Sequence, residues 1–204
     1  MPHPTKDEFV QLLRTTSRRD VVRENVFGGI PYVFRDAPGD YEALRDHLSS
    51  TMSIQKDNIA VVGSGKVGFS LAPDTFGIPF GPHSDIDVLV VSEMLFDGIW
   101  LELLRLPRLQ FAQLSRRDKQ EIHEHRERQI YWGRIWPENL LRVSRSAKLW
   151  VDAFRSLSRN PHLAYFEIKG RLYRTWDHAQ VYHEDGLAQL SFILRRGPES
   201  GNRA

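Results

Sequence analysis

The chain has 204 residues, 41% of them apolar, with a formal net charge of +2 and no cysteine. That length fits one domain of ordinary size. The missing cysteines exclude disulfides, thiol nucleophiles and thiolate metal sites and suggest an intracellular protein. Nowhere do about 18 apolar residues run uninterrupted, and the first thirty carry acids with no long apolar region, so neither a membrane span nor a signal peptide is expected and the protein is read as cytoplasmic. Of the 28 basic residues 22 are arginine, whose planar fork suits phosphate, yet no dense basic block marks a nucleic-acid module.

The N-terminal part predicts helices over Lys6 to Arg14 and Ser17 to Val26, breaks at Gly28-Gly29 and Pro38-Gly39, and a helix over Tyr41 to Thr51 capped by Asp40. Ile59 to Val62 reads as a strand ending in Gly63-Ser64, and Val88 to Val91 as a second strand entered through His83-Ser84-Asp85-Ile86-Asp87. Ser92 is placed to cap a helix from Glu93 to about Leu104, and the charged stretch Ser115 to Gln129 reads as another. From Pro137, apolar residues Leu140, Val143, Ala147, Trp150, Phe154 and Leu157 recur at three- and four-residue steps, predicting one long helix with Arg142, Arg145, Lys148, Arg155 and Arg159 facing water. Ala164 to Trp176 alternates like a strand, and Asp177 to Leu194 predicts a last helix before a flexible tail, 197–204. The fold class is therefore α+β: a small mixed sheet flanked by helices, in a single domain over 1–196. That domain comprises an N-terminal helical segment (1–52), the site-bearing core (53–104), a helical segment (105–160), and a strand with a final helix (161–196).

The segment from Ile59 to Val91 carries the chemistry. Residues i and i+2 of a strand share a face, so Asp85 and Asp87 stand side by side, able to gather divalent cations. Glycine at 63 lets a phosphate approach the backbone, and Ser64 offers a hydroxyl and an amide. Gly63-x-Gly65-x-x-Gly68 also matches a dinucleotide-binding pattern, but Pro73, Gly77, Pro79, Gly81 and Pro82 interrupt the helix that pattern must open. Gly65-Lys66 fails as a triphosphate loop of the Walker type because Val67 stands where Ser or Thr must ligate magnesium and Ala60 where the first glycine belongs.

Gly63-Ser64 closing one strand, followed by Ser84-Asp85-Ile86-Asp87 entering the next, resembles the nucleotidyltransferase superfamily typified by DNA polymerase beta, in a short bacterial form. The resemblance covers about thirty residues. It implies a magnesium-dependent enzyme that moves a nucleoside monophosphate from an NTP, with ATP the expected donor, to a protein, RNA or small-molecule acceptor. Gly63 and Ser64 would cradle the triphosphate, Asp85 and Asp87 would hold two magnesium ions, and a third carboxylate would complete the set. Glu167 is the candidate for that third acid. Lys66 and Ser84 are close enough in sequence to join the nucleotide site. Similar short forms occur in toxin-antitoxin and phage-defence operons, which implies a partner protein encoded nearby. The 21 positions between Ser64 and Asp85 exceed the usual spacing, so Ala72 to Pro82 reads as an inserted loop over the nucleotide.

Other residues enter as secondary expectations. Tyr182-His183 near Tyr173 and Trp176 would frame a base-stacking pocket or fill the core. His123 and His125, two apart in a helix, do not present one face and are not expected to bind zinc. The alternative to an enzyme is a catalytically silent, nucleotidyltransferase-like module that binds nucleotide or a partner, favoured if the third acidic position is empty or basic.

Overall fold

Four strands form one mixed sheet at the centre of a computed structural model that describes residues 3–196. β1 (Ile59–Val62), β2 (Ile86–Val91), β3 (Arg134–Ile135) and β4 (Ile168–Tyr173) lie in the order β1-β2-β4-β3. β2 runs antiparallel to β1 and parallel to β4, and β3 closes the far edge antiparallel to β4. β1 and β2 are buried along most of their length, so they read as near-continuous apolar runs.

Nine α-helices surround the sheet among the described residues: α1 (Lys6–Thr15), α2 (Arg18–Val21), α3 (Pro38–Met52), α4 (Ser64–Val67), α5 (Glu93–Leu104), α6 (Arg108–Gln113), α7 (Arg116–Glu124), α8 (Arg145–Ser156) and α9 (Trp176–Arg196). Strand alternation divides the core in two. Val61, Val88, Val90 and Leu172 point to the face covered by α3, α5 and α8, through Leu44, Leu48, Phe96, Ile99 and Trp150. Val62, Leu89, Val91 and Tyr173 point to the opposite face, covered by α1, α2 and α9 through Phe9, Val21, Leu187 and Leu190. The α+β class is as the sequence indicates. No helix among the described residues is long and apolar enough to cross a membrane.

Local chemistry explains most boundaries. Thr5 caps α1 in a reciprocal box with Glu8, and Ser92 caps α5 by accepting from the Leu95 amide. Several expectations are corrected. The helix expected over Tyr41 to Thr51 begins at Pro38, so Asp40 lies in its first turn and is not its cap. The helices predicted through Val26 and through Gln129 both loosen into π turns, Val22–Phe27 and His125–Gln129. The long helix expected from Pro137 is two pieces. A 3₁₀ turn over Pro137–Leu140 stops, and Ser144 restarts the chain as α8 by accepting from the Ala147 amide. A capping hydroxyl inside an apolar periodicity redirects the backbone without disturbing the periodicity itself. Its arginines do face water. The strand expected over Ala164 to Trp176 is confined to β4, while β3 and α6 carried no sequence signal strong enough to be predicted. The expected tail, 197–204, lies outside the described residues.

Gly170 sits in β4 on the α8 side, where a β-carbon would come within 2.5 Å of the Phe154 and Trp150 rings. Its lack of a side chain lets α8 lie close against the sheet. Gly170→Ala is expected to destabilise the fold by about 1–3 kcal/mol through overpacking, read as a lowered denaturant midpoint. An unchanged midpoint would mean that α8 is not seated as described.

Candidate functional site

The pairing of β1 with β2 places Val62 opposite Asp87. The turn that follows Val62 therefore arrives beside the start of β2. Gly63 has φ of +66°, and a β-carbon there would stand 3.3 Å from Asp87 Oδ2. Glycine is needed on both counts, backbone conformation and close approach. Ser64 opens the four-residue helix α4.

Gly63, Ser64, Asp85 and Asp87 converge on one cleft of about 590 Å³, on the sheet face shared with α9. Ser70 to Pro73 supply one wall. The proline- and glycine-rich loop that contains them folds back on itself, with Phe69 bridged to Pro79 and the Ser70 amide donating to the Ile78 carbonyl. Aromatic residues also line it: Tyr173 from β4, Tyr182 and His183 from α9, and Trp136 beyond β3. Tyr173, Tyr182 and His183 form a mutual ring cluster with centroids 5.3–6.2 Å apart, so the aromatics anticipated near position 182 do meet. Arg134 and Arg171 also line the cleft.

The electrostatics of the acid pair follow from the register of β4. Asp87 pairs with Lys169 and Leu89 with Arg171 across parallel strands, so both cations share the acids' face. Lys169 Nζ lies 2.6 Å from Asp85 and 3.3 Å from Glu167, standing between the two carboxylates. Arg171 lies 3.7 Å from Asp87 and 3.0 Å from Glu138. Burial raises the Asp87 carboxyl above its ordinary value and neighbouring Asp85 adds to the rise, while Arg171 and Lys169 oppose it. Burial likewise raises Glu138. The hydrogen bond to Asp85 is the main cause of a raised Lys169.

Three expected site residues are occupied elsewhere. Lys66 is 4% exposed and turns away from the cleft to donate to the carbonyls of Gly28, Gly29 and Ile30. Burial lowers its pKa to about 8. The buried ammonium ties the N-terminal loop to α4, a structural role that proximity in sequence to Ser64 did not reveal. Ser84 accepts from the Gly81 amide and shapes the turn into β2. Glu167 precedes β4, its side chain is 73% exposed, and Lys169 is its ion-pair partner. Among the described residues no group of three or more His, Cys, Asp or Glu side chains is arranged to hold a metal ion. Asp85 and Asp87 remain a pair of oxygen donors suited to one magnesium ion shared with phosphate oxygens. On β4 the positions that share the acids' face include the cations Lys169 and Arg171. Sequence reasoning missed Arg134, Trp136, Glu138 and Arg171, which lie more than 45 positions from Asp87 in the chain and match no local motif.

No family model, curated protein or solved structure matches the chain. The functional argument therefore stands on the residues themselves.

His183 gives a pH test. Burial, with Arg134 nearby, lowers its pKa from 6.5 to about 4, and its Nε2 is sealed from solvent without a hydrogen-bond partner. Between those values the unfolded chain binds the proton more readily, so stability falls as pH drops from about 6.5 through 4, by about 3 kcal/mol when complete. His183→Phe should remove this contribution. Melting temperatures measured from pH 7 to 4 should fall more steeply in the wild type than in the variant, and parallel curves would contradict a neutral buried imidazole.

Proposed function

We propose that the chain is a nucleotide-binding unit related to the DNA polymerase beta type of nucleotidyltransferase, taking an NTP, with ATP the expected ligand, into the cleft beside Gly63. The observation that carries this reading is the convergence of Gly63-Ser64 and the Asp85/Asp87 pair on one cleft that is also lined by aromatic rings. A nucleotide combines a polyanion with a flat heteroaromatic ring, and the cleft is lined by both polar and charged groups and aromatic rings. Its volume lies within the range of small-molecule sites. Gly63 and Ser64 would meet phosphate oxygens, and Asp85 with Asp87 would hold magnesium brought in with them.

The cations on β4 favour the binding module over the transferase. A two-ion phosphoryl-transfer centre relies on metal charge at both the attacking and the leaving oxygen. Here Lys169 and Arg171 already lie within ion-pair distance of the two carboxylates, each shared with a second acid. A regulatory subunit that binds nucleotide and an operon-encoded protein partner fits that arrangement. The transfer reading has its own support in the paired carboxylates beside Gly63. Its acceptors would be a protein, an RNA or a small molecule, within a toxin-antitoxin or phage-defence setting.

Isothermal titration with non-hydrolysable analogues of the four NTPs tests the reading. At least one should bind, with loss in Gly63→Val, whose side chain would enter the space against Asp87. If no analogue binds the wild type, the proposal falls. Incubation with labelled NTP separates its two forms: incorporation of label by the wild type and its abolition in a folded Asp87→Asn variant would establish transfer, and absence of incorporation would leave the binding module.

A further inference from the structure

Arg134 is the cation in the cleft with no carboxylate assigned to it. Among the described residues it forms no ion pair, whereas Lys169 pairs with Asp85 and Glu167 and Arg171 with Asp87 and Glu138. Its position is nevertheless tightly built. β3 pairs Arg134 with Tyr173, which puts it on the cleft face. Its Nε donates to Gln129 Oε1 at 2.5 Å, and Gln129 is 3% exposed. Its guanidinium lies 4.1 Å from the Tyr182 ring centroid and 5.4 Å from that of Trp136. Arg171 approaches the same indole at 5.7 Å.

Stacking holds a guanidinium flat and leaves its N–H edge to serve an acceptor, and a fixed fork binds phosphate in a bidentate manner. A partly buried guanidinium, held by Gln129 Oε1 and the Tyr173 hydroxyl and without an ion pair among the described residues, lines a nucleotide-sized cleft together with Asp185, and its remaining N–H edge suits an anion brought from outside the chain. The acid pair tells the same story from the opposite side. Lys169 and Arg171 stand within ion-pair distance of Asp85 and Asp87, each shared with a second acid, so cations already occupy part of the space around the carboxylates.

We propose that Arg134, with Arg171 beside it on Trp136, is the phosphate receptor of the cleft, and that polyphosphate binds there through arginine without needing a divalent cation. The inference rests on the cleft being a nucleotide site and adds how the phosphates are held. Guanidinium forks take the role that magnesium has in a two-ion centre. The ligand class is a nucleoside polyphosphate, with the rings of Tyr173 and Tyr182 close to the same arginine.

The test is equilibrium titration of the full chain with a non-hydrolysable ATP analogue and with inorganic triphosphate, each in excess magnesium and in excess chelator. Binding of both in chelator, within about threefold of the magnesium value, is expected. Arg134→Gln should weaken both by about tenfold to a hundredfold, the scale of lost charged hydrogen bonds. Arg134→Lys, which keeps the charge and loses the fork and the stacking, should weaken them as well, and melting temperatures near that of the wild type will show that both variants fold. Binding that requires magnesium and persists in folded Arg134→Gln would overturn the inference while leaving the nucleotide site standing. Failure of the wild type to bind either ligand in any condition would overturn the nucleotide site and the inference with it.

Discussion

Asp87 lies against the backbone of Gly63, close enough that a β-carbon at that position would stand 3.3 Å from the carboxylate. The arrangement of the cleft depends on this contact between a carboxylate and a bare peptide. It exists because β1 and β2 pair with Val62 opposite Asp87, which is a consequence of two short apolar strands burying both faces. A one-residue slip of either strand would turn Asp87 into the core formed with α3, α5 and α8 and would carry Val88 to the cleft. Apolar packing thus fixes where the charge sits. The same register, extended across β4, decides what the charge meets: Lys169 and Arg171 instead of a third acid.

Burying a carboxylate costs free energy unless it is paired, and Asp87 is partly buried with a raised pKa despite Arg171 at 3.7 Å. The cleft is therefore a network of opposed charges: Asp85, Asp87, Glu138 and Glu167 on one side, Lys169 and Arg171 on the other. Each pair is partly solvated and contributes little to stability by itself. Their importance is to set which charges remain available. Within that network four carboxylates share two cations, whereas Arg134 has no ion-pair partner among the described residues and its guanidinium lies over the Tyr182 ring. That unpaired, stacked guanidinium is the physical basis for proposing a receptor for polyphosphate.

How much of this was legible in the sequence follows from the range of each interaction. Strands β1 and β2 were visible because apolar runs bounded by Gly63-Ser64 and by Asp85-Ile86-Asp87 are local patterns. The caps at Ser92 and the helix that follows it were visible for the same reason. The break at Ser144 was hidden because the apolar periodicity on either side of it continues in step, and only the capping bond to Ala147 reveals a new helix. Strand β3, two residues long, exists through its pairing with β4 and has no pattern of its own. Consequently Arg134 could not be connected to a cleft built around residues 63–87. Lys66 misled in the opposite way: closeness in sequence to Ser64 suggested a phosphate contact, while burial and three carbonyl acceptors on a loop 36 or more positions away assign it to the fold. Of the aromatics expected together near position 182, Tyr173, Tyr182 and His183 form a ring cluster, while Trp176 packs against Phe27.

The central claim, a polyphosphate seated between Gly63-Ser64 and Arg134, is tested most directly by nuclear magnetic resonance of the isotopically labelled protein titrated with a non-hydrolysable ATP analogue. The account predicts saturable shifts of the Gly63 and Ser64 amides and of the Arg134 Nε–H, together with the Tyr182 ring, at one common dissociation constant. Shifts confined to residues outside the cleft, or none at all at millimolar ligand, would contradict it.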